Sequence, residues 1–173
     1  MHGAGDDVEA LVVLGVAMLG RPLGVRGDAD LSDSEALSGV WPAPAEALAP
    51  VADSADPVER TAFACEFLLR GVLAREGAVR AMIAATITRP ATATARPGIR
   101  FGLIDHALRP LDGTLGVTDP EAFAQLKRDL AVVVSAEALF TLMDLCGLDP
   151  QAAVDSAVRT ATSLTQAAVR TIE

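Results

Sequence analysis

Residues 129–147 read DLAVVVSAEALFTLMDLCG. The polar positions in this stretch are Asp129, Ser135, Glu137, Thr141 and Asp144, and the rest is apolar or glycine. It is too long for one strand, and too short and polar for a membrane span. It reads as the back part of one long helix that starts at Asp119-Pro120 and ends at Gly147. A helix apolar around most of its circumference must be covered on several sides, which makes this the central helix of an all-α domain.

Glu137, Thr141 and Asp144 are spaced i, i+4, i+7 and share one helix face. A carboxylate buried there needs a cation, a hydroxyl, backbone donors or a ligand. Two readings follow. One is an ion pair to an arginine on a neighbouring helix; the other is a polar wall in an otherwise apolar ligand cavity.

The 173-residue chain is 51% hydrophobic but only 3% aromatic, with no tyrosine. Its core must therefore be built from Ala, Val, Leu and Met, which suits closely packed helices. Cys65 and Cys146 lie in no metal-binding spacing. No zinc site or other cofactor is implied, and reduced thiols in a cytoplasmic protein are expected. Residues 1–9 carry Asp6, Asp7 and Glu9 but no Lys or Arg, unlike a signal peptide. The apolar run at residues 10–20 is too short to span a bilayer, so no membrane partner is expected.

The net charge of −9 is unevenly placed: residues 1–56 hold ten acids and two bases, net −8, whereas residues 57–173 hold thirteen acids and twelve bases, net −1. This splits the chain into an acidic region over residues 1–55 and a helical region over residues 56–173. In the first, residues 8–19 form a plausible helix, and short helical turns are expected at residues 32–40 and 45–49. From Asp56-Pro57 the helix starts are strong, with Asp as N-cap and Pro at the first position, a pattern repeated at Asp119-Pro120 and Asp149-Pro150. Helices are predicted over residues 57–75, with Phe63, Phe67, Leu68 and Val72 inward and Gly77 as the breaker, then over 78–88, 98–108, 120–146 and from 150 to the C-terminus. Residues 90–97, PATATARP, form a linker that would gate access to the interior. The last helix repeats small and apolar residues at Val154, Ala157, Val158, Ala161, Leu164, Thr165, Ala168 and Ile172. Such a stripe lets another helix approach closely, and the two last helices are expected to pair with their copies as a four-helix dimer interface.

Residues 56–172 resemble the C-terminal effector-binding and dimerisation domain of the TetR family of bacterial regulators. The resemblance rests on the DPVER opening, on RAMIAATI after REGAVR, and on LAVVVSAEALFTLMDLCGLDPQAAVDSAVRTATSLTQAAVR. It implies an all-α fold, a homodimer through about residues 119–172, and a cavity between the helices at 57–75, 98–111 and 120–146. Family members open with a helix-turn-helix module. Here VEALVVLGVAMLGRP and SGVWPAPAEAL resemble its ends, but GDADLSDSEALSG replaces the DNA-facing part. Between Arg26 and Val58 there is no Lys or Arg, and seven acids stand from Asp28 to Asp56. Cationic phosphate contacts supply most non-specific DNA affinity, so DNA binding is expected to be lost.

Three functions are compatible with these features: a homodimer that binds a small hydrophobic molecule without binding DNA, an enzyme acting on a hydrophobic metabolite in the same cavity, and a ligand-responsive repressor. For an enzyme, the candidates are His106 and Glu137, and the chemistry would be a cyclisation, isomerisation or elimination using one acid/base group. The blander reading of His106, and the one the sequence favours, is a partly exposed helix-surface residue beside Asp105. Candidate ligand-binding residues are Glu66, Arg70, Met82, Arg100, Phe101, Thr141 and Asp144. Arg70 and Arg100 would anchor an anionic group, although Arg70 equally closes an i, i+4 pair to Glu66.

Overall fold

The computed structural model describes residues 41–88 and 98–171. Among these residues the protein is all-α, with no strand. The expected helices at residues 8–19 and 32–40 and the linker at 90–97 lie outside the described residues. No described helix is long and apolar enough to cross a membrane.

In chain order the helices are α1 (Pro44–Ala47), α2 (Pro57–Leu73), α3 (Glu76–Thr88), α4 (Ile99–Ala107), α5 (Leu115–Thr118), α6 (Pro120–Val133), α7 (Ala136–Asp144) and α8 (Pro150–Arg170). Short 3₁₀ turns follow α1 at Ala49–Val51 and α4 at Arg109–Leu111. The chain divides into two compact units. One contains Trp41 and α3 with the preceding Arg75; the other contains residues 42–74 and 98–171. In the first, Arg75 stacks its guanidinium 5.1 Å from the centre of the Trp41 ring. Arg80 bonds Glu76 one turn away at 2.8 Å. Gly77 does not break a helix here: α2 ends at Leu73, and Gly77 lies inside α3.

The larger unit is organised by α2 and α8, which pack along each other. α6 and α7 also pack on α8, and α4 packs on α1, α2 and α6. All three Asp-Pro starts are N-caps. Asp56 accepts from the Val58 amide at 2.8 Å, Asp119 from Ala122 at 2.9 Å, and Asp149 from Gln151 and Ala152 at 3.0 Å each. The core is leucine-rich, as the composition requires: Leu69, Leu103, Leu108, Leu130 and Leu139 are fully buried. On α2, Leu68 and Val72 are buried as expected, whereas Phe63 and Phe67 are half-buried.

The small residues of α8 are used inside the chain. Ala153, Val154, Ala157, Ala161 and Thr165 are buried, and they bring α8 against α2. With no long side chain between them, the two helix axes can approach closely. Thr165 removes its hydroxyl from the competition by donating to the Ala161 carbonyl at 3.0 Å.

The expected single helix over residues 120–146 is two helices. The break falls at Val134-Ser135. Val134 has φ −81° and ψ 67°, the inverse γ-turn geometry, and the Ser135 amide donates back to the Val133 carbonyl at 2.9 Å. Ser135 is extended, with φ −150° and ψ 152°, and caps α7 by accepting from the Ala138 amide at 3.1 Å. Its own hydroxyl donates to the Val132 carbonyl at 2.7 Å. Three consecutive valines, stiff at χ1, followed by a serine are a poor helix interior and a good helix start. At the other end, Gly147 takes φ +68°, a conformation that costs a side-chain-free residue little, and the Leu148 amide reaches the Leu142 carbonyl at 3.1 Å.

Ser135→Ala removes both bonds that fix the break. Urea unfolding should show a loss of about 1 kcal/mol, with an unchanged dependence on denaturant concentration.

Candidate functional site

The residues singled out from the sequence separate into four places. Glu66 and Arg70 form an i, i+4 ion pair at 2.8 Å on the solvent side of α2. Both are about half exposed, so the pair is worth little to stability. Met82, half-buried, belongs to the smaller unit with α3.

The third place is the junction of α4 with the end of α6 and the start of α7. Arg100 extends from the first turn of α4 and donates to the Ala131 carbonyl at 3.2 Å. The same guanidinium nitrogen lies 3.6 Å from a Glu137 carboxylate oxygen. Glu137 thus meets an arginine on a neighbouring helix, one of the two readings its spacing allowed. Phe101 lies beside this pair, its ring centre 5.7 Å from the Arg100 guanidinium carbon, and is 52% exposed. Val132, next in sequence to the carbonyl that Arg100 binds, is 71% exposed. Glu137, Thr141 and Asp144 do share one face of α7, but it is the outward one: Glu137 is half exposed, and Thr141 and Asp144 are exposed. The side of α7 that enters the core carries Leu139 and Phe140 instead. The Thr141 hydroxyl donates to the Glu137 carbonyl at 2.8 Å.

The fourth place is the end of α4. His106 is not on a helix surface beside Asp105; it is buried, while Asp105 faces outward and pairs with Lys127 on α6 at 2.8 Å. Burial first, then Arg109 and Arg60, hold the His106 ring pKa below its ordinary value. The structure does not bring His106 and Glu137 together: Glu137 stands elsewhere, at the half-exposed start of α7.

Arg60, the last residue of DPVER, has no place in the sequence reading and organises this region. It is 4% exposed. Its Nε donates to the Ala107 carbonyl at 3.2 Å and Nη2 to the His106 carbonyl at 2.8 Å. Nη1 donates to the carbonyls of Val51 at 2.8 Å, Ala52 at 3.0 Å and Ser54 at 3.3 Å. Every acceptor is a main-chain carbonyl. The only signal in the sequence is an arginine on the same helix face as Ala64, which a buried stripe would include.

Compared with known proteins, the chain matches no family model, no curated protein and no solved structure.

Arg60→Met leaves the buried His106 and Ala107 carbonyls without donors, a loss of about 3 kcal/mol in chemical denaturation. Arg60→Lys should recover little of it, because an ammonium cannot span the two sides of the fork.

The cysteines differ sharply. Cys65 is buried in α2, and burial first, then Glu66, push its thiol pKa up to about 12. Cys146 is exposed just after α7. A colorimetric thiol reagent at neutral pH should titrate one thiol in the native protein and two after denaturation; Cys146→Ser should abolish the native reaction.

Proposed function

We propose that this protein is a TetR-like homodimer that binds a small, largely hydrophobic molecule and does not bind DNA. The observation that carries the ligand-binding part is the junction of α4, α6 and α7. There the side chains of Phe101 and Val132 stand open to solvent next to an arginine held only by one 3.2 Å carbonyl contact and a loose 3.6 Å ion pair. An apolar rim with one adaptable cation suits a molecule with an apolar body and a single polar or anionic end. Thr141 lies one turn further along the same face of α7 as Glu137 and would extend the polar side.

The loss of DNA binding rests on charge. The first 56 residues are net −8, and no cation stands between Arg26 and Val58 to meet a phosphate. Self-association through α7 and α8 is supported by Leu145, 81% exposed at the end of α7 in the single chain. The buried stripe of α8 cannot serve this purpose, since α2 already covers it, so the pairing would use the outward faces of these two helices.

Native mass spectrometry of freshly purified protein tests all three parts. The expected spectrum is a dimer that retains a small molecule and forms no adduct with a promoter-region duplex at low salt. Arg100→Met should reduce the retained mass signal without changing the dimer. A dimer–DNA complex, or a monomer with nothing bound, would overturn the proposal.

A further inference from the structure

The Arg100 guanidinium is engaged through one nitrogen. Nη1 donates to the Ala131 carbonyl at 3.2 Å and lies 3.6 Å from Glu137, so a single nitrogen spans the end of α6 and the start of α7. Among the described residues, Nε and Nη2 hold no hydrogen bond or ion pair. They are not sealed in the interior, where an unpartnered nitrogen would be costly: the Thr61 hydroxyl is the one buried side-chain polar atom without a partner among the described residues. The side chain is 22% exposed. Nε–H and Nη2–H form the side-on edge of an arginine, two parallel donors whose spacing matches the two oxygens of a carboxylate. Beside this edge stand Phe101, its ring centre 5.7 Å from the guanidinium carbon, and Val132, both open to solvent.

We propose that the polar end of the ligand is a carboxylate, paired side-on with Nε–H and Nη2–H of Arg100, with its apolar body on Phe101 and Val132. This rests on the ligand-binding reading of the same junction and narrows it to one chemical class. A hydroxyl or an amide offers a single acceptor oxygen and leaves one of the two donors unused. A carboxylate offers two in one plane, and the pair forms without removing Nη1 from the Ala131 carbonyl. Glu137 sets the charge limit. Its carboxylate already faces the same guanidinium, so a second negative charge on the ligand would add repulsion with no further cation in the pair to offset it. A monoanion therefore fits better than a phosphate dianion.

Titration of the full chain with decanoate and with decanol, each below the concentration at which it self-associates, tests this by NMR. The reporters are the Phe101 ring and the Arg100 Nε–H. Decanoate should move both signals and bind about tenfold or more tighter than decanol, the factor expected for a charge-assisted pair. Arg100→Lys keeps the charge but loses the parallel donors, and should lose most of that preference. Glu137→Gln removes the neighbouring negative charge, and should tighten decanoate while leaving decanol unchanged. Decyl phosphate, a dianion at about pH 8, should bind more weakly than decanoate. Decanol moving the Phe101 signals at the same concentration as decanoate, a preference that survives in Arg100→Lys, or tighter binding of decyl phosphate would each overturn the carboxylate assignment and leave the hydrophobic-ligand reading standing. No movement of the Phe101 signals with any of the three would overturn both. Should Arg100→Lys not fold, Glu137→Gln decides: an unchanged affinity for decanoate would refute the pairing.

Discussion

The fold depends on where a helix leaves its last carbonyls. α4 ends at Ala107, and residue 110 is a proline with no N–H to offer the His106 carbonyl four residues back. The Leu111 amide bonds Leu108 rather than Ala107. Two carbonyls at the negative end of the helix dipole are thus left without main-chain partners in the protein interior. Arg60 supplies both donors, and with its remaining nitrogen it also holds the turn that leads into its own helix. A planar fork can do this because its donors point to opposite sides at once. A carboxylate partner is not required: the helix end and the turn together present enough partial negative charge to accommodate a buried guanidinium.

The second constraint is steric. With few aromatics, the core gains its density from leucines and from the close contact of α2 with α8. Ala153, Ala157 and Ala161 make that contact possible, and any larger residue there would force the two helices apart. Pro44 packs its ring where a Cβ on Gly102 would sit at 2.9 Å, so α1 rests directly on the α4 backbone. The region before α2 is therefore fastened twice, by a ring against a glycine and by a guanidinium against carbonyls. One fastening is indifferent to solution conditions; the other contains charge.

The helix starts were legible because each is a local event. Asp, Pro and the amides two and three residues on lie within one turn, and all three Asp-Pro pairs cap as read. Glu66 with Arg70 was legible for the same reason. The break at Ser135 was missed because hydrophobicity across VVVSAEALF is continuous, and a hydrophobic count does not register that valine and serine disfavour a helix interior. That miss had a consequence. A helix thought to be buried all round was assigned buried carboxylates, whereas α7 turns Glu137, Thr141 and Asp144 outward. The i, i+4, i+7 spacing placed them together but could not say which way they face. The same limit applies to α8, whose small residues signalled a close helix partner but not whether it came from the same chain. Arg60 was illegible for a different reason. Its partners are main-chain atoms 46 and 47 residues away, and no side-chain pattern encodes them.

Arg60 and Arg100 show why a cation's surroundings matter more than its presence. Both bond carbonyls at the edges of helices. Arg60 spends all three nitrogens on five main-chain acceptors, so an incoming anion would have to displace partners that include the buried His106 and Ala107 carbonyls. Arg100 has one carbonyl at 3.2 Å, a carboxylate at 3.6 Å and a ring beside it, and it is partly open to water. On the proposed reading, an anionic ligand end would therefore meet Arg100, which is partly open to water, and not Arg60, which the fold already engages on every nitrogen.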